Sequence, residues 1–364
     1  TVSRNFMTKI YLSILLLFIT TSTLYSQKLM EANMSSIGTP SYPGTDKSLL
    51  TKKITVFTQS NSELPWDMNR AITTDKNNNI WIGTDNGIVQ ISNGKWIVYN
   101  TENEIFDTYP SGVIRPIKNA FVDSDNNVWL TMGGSLYQYE NFKWKRFDEN
   151  NSILKSARFI YEDSKNNIWV TSWDGLYKFD GKKWTVINQE NSGIPSNKTF
   201  GFHIDKNDKI LLGTLSGNVI IENNIVHKID DQDSPLSSSI IFKAIEDKNG
   251  NIWFSLYNEH NYKNKGIYIL DKSSNWTKID FPLDNEILKE NGLNDFLLDE
   301  ENNELWVSLS GVGILLYHLD TKNWEIYTNQ NSNFPSIYAE QITKDKLGNI
   351  WVSTFAGVAK IENK

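Results

Sequence analysis

"DKNNNIWIGTDNGI", residues 75–88, sets an acidic residue, an Asn-rich turn, an Ile-Trp pair and a Gly in close order. The arrangement returns as "DSDNNVWLTMGGSL" from 123, "EDSKNNIWVTSWDGLY" from 162 and "DKNDKILLGTLSGNVI" from 205. It returns again as "DKNGNIWFSLYNEH" from 247, "DEENNELWVSLSGVGI" from 299 and "DKLGNIWVSTFAGVAK" from 345. The anchor residues Trp81, Trp129, Trp169, Leu211, Trp253, Trp306 and Trp351 are 48, 40, 42, 42, 53 and 45 residues apart. That spacing is the period of a four-stranded propeller blade. An Asp stands six residues before the anchor in six copies, and Asp299 stands seven before Trp306.

Each unit reads as four strands. In the first copy they are "RAITTD", "IWIGT", "IVQIS" and "WIVYN", separated by "KNNN", "DNG" and "NGK". Asn-Asn and Asn-Gly pairs adopt positive φ at little cost, as short hairpins require. The repeated Asp is read as the acceptor of an Asx-turn and the Trp as packing between blades. A second apolar anchor follows at Trp96, Trp144, Trp184, Val226, Trp276 and Trp324, but the seventh copy ends before reaching one. "KITVFTQSNSELP" aligns with "KWIVYNTENEIFD" and places Ile54 on Trp96 and Phe57 on Tyr99. The N-terminal strand is therefore expected to complete the last blade and protect its edge. The expected fold is all-β, a seven-bladed β-propeller over residues 53–364.

Composition agrees with a large aromatic-rich β fold. The chain has 364 residues, with 13 Trp, 15 Tyr and 17 Phe. A formal charge of −7 gives no basic footprint for nucleic acid. With no cysteine, disulfides and thiol chemistry are excluded. Near the N-terminus, Lys9 precedes an apolar run from Ile10 to Ile19, about half of the roughly 20 residues that span a bilayer. Residues 1–26 are read as a secretory signal peptide with cleavage near Ser26, and Met7 is a candidate start. Its removal takes away Arg4 and Lys9 and no acid, so the formal charge moves from −7 by two units to −9. Residues 27–52 read as a flexible leader, and no later segment is expected to span a membrane. The expected location is periplasmic or extracellular.

The units resemble the two-component regulator propeller repeat, approximately D-x-x-G-x-I-W-x-G-T-x-x-G-hydrophobic-aromatic. "DKNNNIWIGTDNGI" and "DSKNNIWVTSWDGLY" match it closely, and "DKLGNIWVSTFAGV" keeps the turn Gly. In that family, paired propellers form the periplasmic sensory region of hybrid histidine kinases, often linked to carbohydrate sensing. The sequence read here holds one array and no kinase segment, so the resemblance implies an exported, sensor-like binding module. Streptogramin lyases carry a similar repeat, and that likeness implies a lyase as the alternative; a structural scaffold in an envelope assembly is a third reading.

Catalytic and metal signals are sparse. There is no phosphate loop, H-E-x-x-H or G-x-S-x-G. His203, His227, His260 and His318 fall at unrelated places in their units, so no metal site or cofactor is expected. "DSDNN" and "DKNGN" begin like a calcium loop but have no acid at its twelfth position. Function is expected where the repeat is broken, on the face of the connections between blades and the second turns. Polar and aromatic groups on irregular segments held by a rigid scaffold suit recognition. The candidate ligand-binding residues are Trp66, Arg70, Arg115, Arg158, Trp173, Asp174, Tyr257, Glu259, His260 and Tyr262. Glu259 with His260 is the adjacent acid–base pair a lyase would need, and catalytic residues are otherwise unassigned. The expected partner is a small molecule, a glycan or an envelope protein.

Overall fold

The computed structural model describes residues 47–363 apart from 103, 105, 111–113, 206, 224, 230–232 and 284. The expected signal peptide and most of the expected leader lie outside the described residues. Within them, twenty-eight strands, β1–β28 in chain order, form seven four-stranded antiparallel sheets. The first blade holds β2 (Asn69–Thr74), β3 (Ile80–Thr84), β4 (Gly87–Ser92) and β5 (Lys95–Tyr99). The innermost strands of the other blades are β6 (Ile117–Val122), β10 (Ile160–Glu162), β14 (Thr199–Ile204), β18 (Ser239–Glu246), β22 (Leu293–Asp299) and β26 (Ala339–Lys344). β2 lies against both β6 and β26, which closes the ring. Two short helices, Gln189–Ser192 and Asn285–Glu290, occupy inter-blade connections.

Each repeat motif is a clasp. Asp75 Oδ1 accepts the backbone N–H groups of Asn77 and Asn79 at 2.9 Å each. Its Oδ2 accepts from Asn79 Nδ2 at 2.7 Å and from the Trp81 indole at 3.0 Å. Asn78 takes φ 65°, the left-handed conformation that Asn tolerates. The indole bond recurs in Asp123–Trp129, Asp163–Trp169, Asp247–Trp253 and Asp345–Trp351. Burial alone would raise the Asp163 carboxyl, but bonds from Trp169, Asn167 and Lys165 hold it below the usual range. Two copies depart. Leu211 has no indole, so Asp205 accepts only from backbone N–H groups of Asn207 and Lys209. In the longer sixth turn, Trp306 donates to Glu304 instead, and Asp299 pairs with Lys344 of the next blade at 2.7 Å.

The anchors pack forward. Trp81 lies with Ile117, Leu130 and Tyr137 of the second blade, and Trp129 with Ile160 and Tyr177 of the third. Trp351 completes the circle against Ile72, Ile80 and Val89 of the first. In each of these blades the Trp is buried against the next.

The N-terminal strand closes the last blade. β1 (Lys52–Phe57) pairs antiparallel with β28 (Gly357–Asn363), placing Ile54 opposite Ile361 and Phe57 opposite Val358. Phe57 stacks on Trp351 at 5.6 Å. The tie extends to the sixth blade: Thr51 donates twice to Glu325, at 2.7 and 2.8 Å, and Lys52 N donates to Tyr327 Oη at 3.1 Å. Leu50 is buried with Ile54, so contacts reach back three residues before the boundary expected at 53.

Candidate functional site

The site grows out of a repeated irregularity in the innermost strands. Residues 117–119 of β6 oppose only Thr131 and Met132, so Lys118 is an extra residue in the ladder. Matching bulges place Arg70, Phe242 and Asn294 out of register in β2, β18 and β22. The shifts in β14 and β26 span Phe200 and Glu340. Arg158 stands just ahead of β10. Each of these residues lies five before its repeated Asp. In an unbroken strand they would share a face with the residues two further on, such as Ile72, Ala120 and Phe296, all buried between blades. The bulge re-aims them. Arg70, Lys118, Arg158, Phe242, Asn294 and Glu340 line a central cavity of about 960 Å³.

In three blades the next residue, Asn119, Asp295 or Gln341, satisfies the inner edge. An innermost strand has one side unpaired, and its N–H groups need partners. Gln341 Oε1 accepts from Ile72 N and Ala120 N, both at 3.2 Å, while its Nε2 donates to Ala120 O at 2.8 Å. Asn119 accepts from Ile160 N at 3.1 Å, and Asp295 from Ile342 N at 2.9 Å. Asp295 also pairs with Lys243. At Gly201 a Cβ would meet the Phe242 backbone at 2.5 Å, so a side chain there would push the fourth and fifth blades apart.

The ring is chemically lopsided. Blades one to three supply Arg70, Lys118 and Arg158, blades four and five supply Phe200 and Phe242, and blades six and seven supply Asn294 and Glu340. The Arg158 guanidinium lies 4.3 Å from the Trp173 ring centre and 5.0 Å from Phe200, and its buried Nη1 has no hydrogen-bond partner. Arg115 sits over Tyr109 at 4.9 Å. Arg70 lies over Phe355 and 3.5 Å from Asp85. Burial, then the charges of Arg158 and Arg70, pulls the Lys118 ammonium below its usual pKa. Burial lifts Glu340 to about 7; Arg70 opposes the shift, while Asp295 and Asp85 reinforce it.

Of the residues singled out from sequence, Arg70, Arg115, Arg158 and Trp173 line this cavity. The others stand apart from its lining. Trp66 is 40% exposed, and Asp174 sits in the second turn of blade three, its N–H bonded to Ser172. Tyr257 lies behind the ring, with its hydroxyl on Leu293 O at 2.9 Å and its ring centre 5.1 Å from Phe242. The polar segment that holds Tyr257, Glu259, His260 and Tyr262 is a prolonged hairpin, not an irregular loop. β19 (Ile252–Asn258) and β20 (Asn264–Leu270) continue past the usual turn because Tyr257 pairs with Asn264. Tyr262 at the tip is exposed with φ 57°. Glu259 and His260, 3.5 Å apart, stand on this hairpin outside the cavity lining. Lys118, Phe200, Phe242, Asn294 and Glu340 were missed; their fixed place five residues before each Asp was the available signal.

Residues 63–86 match the family model described as two component regulator propeller. The chain carries the two-component regulator propeller repeat. Among solved structures, it is similar to one described as the extracellular domain of the hybrid two component system BT3049 from B. thetaiotaomicron. Identity is 21% and the TM-score 0.66, over 86% of this chain and 41% of that one. The chain thus spans well under half the length of that domain. Virginiamycin B lyase from Staphylococcus aureus, solved with quinupristin, has 16% identity and a TM-score of 0.62, over 86% of this chain and 100% of that one. YCF48 from Cyanidioschyzon merolae has 11% identity and a TM-score of 0.55, over 85% and 98%. At these identities the likeness is one of fold. No curated protein matches the sequence. Among the described residues, no helix is long and apolar enough to cross a membrane, and no group of three His, Cys, Asp or Glu could hold a metal.

Proposed function

We propose that this propeller is an exported binding module whose ligand enters the central cavity on the face of the inter-blade connections. One observation carries the reading: bulges in five of the seven blades turn a different side chain each into one large cavity, while the surrounding frame repeats. A cavity of about 960 Å³ lies within the size range of small-molecule sites, and its mix of aromatic and charged groups suits recognition. The fold likeness to extracellular two-component domains and the N-terminal apolar run support export, with residues 1–26 as the signal and the segment from 27 to 49 as a leader. The test is a thermal-shift screen of the full chain against glycans and envelope extracts. A ligand should raise the melting temperature of the wild type but not of Phe242→Ala combined with Asn294→Ala. A shift that survives in that variant but is lost on replacing Phe142 and Leu347, in hairpins of the opposite face, would overturn the reading.

A further inference from the structure

The three cations of the ring are not balanced by the acids around them. Arg70 is shared with Asp85 at 3.5 Å, but Lys118 and Arg158 make no ion pair among the described residues. The Arg158 guanidinium lies against the rings of Trp173 and Phe200, which do not compete for its N–H donors as an oxygen acceptor would. One of those donors, Nη1, is buried and unpaired, an unusual state for a charged group. Arg115, also without an ion pair among the described residues, stands at the same cavity. The chain as a whole carries a net charge of −7, so this positive arc runs against its overall field. Keeping like charges together in a cleft is unfavourable unless an anion joins them. Across the cavity, Asn294, whose Nδ2 is already donated to Ala339 O and Glu340, and the Glu340 carboxyl offer acceptors suited to hydroxyl groups, and an ionised Glu340 disfavours acidic ones.

We propose that the cavity binds a hydroxylated organic anion with at least two acidic groups, which lie on Lys118, Arg158 and Arg115 while its hydroxyls face Asn294 and Glu340. This rests on the cavity being the ligand site and adds the chemical class. Burial is the main cause of the depressed Lys118 and the raised Glu340; like charges add to each, from Arg158 and Arg70 at Lys118 and from Asp295 and Asp85 at Glu340, where Arg70 opposes them. Two sources share the chemistry, an acidic saccharide and a small hydroxy-polycarboxylate.

Calorimetry with digalacturonate, citrate and neutral cellobiose separates them. Digalacturonate or citrate should bind at least tenfold more tightly than cellobiose, and more weakly as salt rises. Whichever acid binds more tightly identifies the source. Lys118→Gln and Arg158→Gln should each weaken that binding at least tenfold, whereas Glu340→Gln should tighten it about threefold at neutral pH by removing a like charge, roughly 0.6 kcal/mol. Lys118 is exposed to the cavity, so its variant should fold normally even if the Arg158 variant does not. Failure of both acids to bind at millimolar concentration overturns the anion class. So does cellobiose binding that Lys118→Gln leaves intact; if Phe242→Ala abolishes it, the cavity remains the site. Acid binding indifferent to Lys118, Arg158 and Glu340 overturns both.

Discussion

The two ends of each innermost strand obey different rules. At the turn end, Asp and Trp recur with the same bonds: the Trp169 indole meets Asp163 at 2.8 Å and the Trp351 indole meets Asp345 at 2.9 Å. At the cavity end, five residues earlier, the seven positions hold Arg, Lys, Arg, Phe, Phe, Asn and Glu. Repetition marks what every blade must do to hold its neighbour. Variation, five residues away along the same strand, marks what the assembled ring does together. The contrast also explains why neither the Trp anchors nor the Asp turns form a recognition surface: their polar atoms are already satisfied by one another.

The largest test of the frame is its closure. Deleting residues 50–57 removes β1, the buried Leu50 and Ile54, and the ties from Thr51 and Lys52 to the sixth blade. The expected loss is on the order of 5 kcal/mol, because β28 is left as an open edge and several apolar side chains lose their cover. Chemical denaturation measures it; a near-normal midpoint would mean that the ring holds without its seventh outer strand.

A finer test compares two copies of the clasp. Asp163→Ala leaves the Trp169 indole and Asn167 amide without their acceptor in a buried setting, and should cost about 2–3 kcal/mol. Asp205→Ala removes only backbone acceptor bonds from a turn whose anchor is Leu211, and should cost about 1 kcal/mol. Equal losses would show that the indole bond contributes nothing beyond the turn. Neither change should alter ligand selectivity.

A third test belongs to the cavity end and depends on pH. Glu340, facing Arg70, Asp295 and Asp85, is raised from its ordinary 4.5 to about 7. The folded protein then keeps a proton that the unfolded chain releases, so stability is lost as pH rises from about 4.5 to about 7 and is level above that. Glu340→Gln has no such proton to lose. Melting temperatures should therefore show the variant gaining on the wild type across that window, with a constant gap at higher pH. Parallel curves would place Glu340 in a more solvated, ordinary setting.

The candidate site was half legible. Arg70, Arg115, Arg158 and Trp173 could be picked out because they lie at or near irregular connections, where polar and aromatic groups attract attention. Lys118, Phe242, Asn294 and Glu340 sit inside strands, where alternation assigns them to the face of their buried neighbours two residues on. The bulge breaks that alternation, and no turn residue announces it. The hairpin from Tyr257 to Asn264 misled in the opposite way: its polar composition resembles a loop, yet cross-strand pairing extends the sheet through it.

The sequence by itself determined the seven-fold repeat, the four strands of each blade, the Asp-capped turns and the exchange of β1 into the last blade. Those features depend on φ preferences, side-chain period and hydrogen bonds closing within six residues, or on pairing that the repeat makes readable. Only the tertiary structure decided which side chains meet in the centre. Gln341 caps Ile72 and Ala120 from 269 and 221 residues away, and Arg158 is caged by Trp173 and Phe200 of separate elements. A side chain at the axis is aimed by a ladder irregularity and surrounded by six other blades, so its environment exists only once the ring has closed.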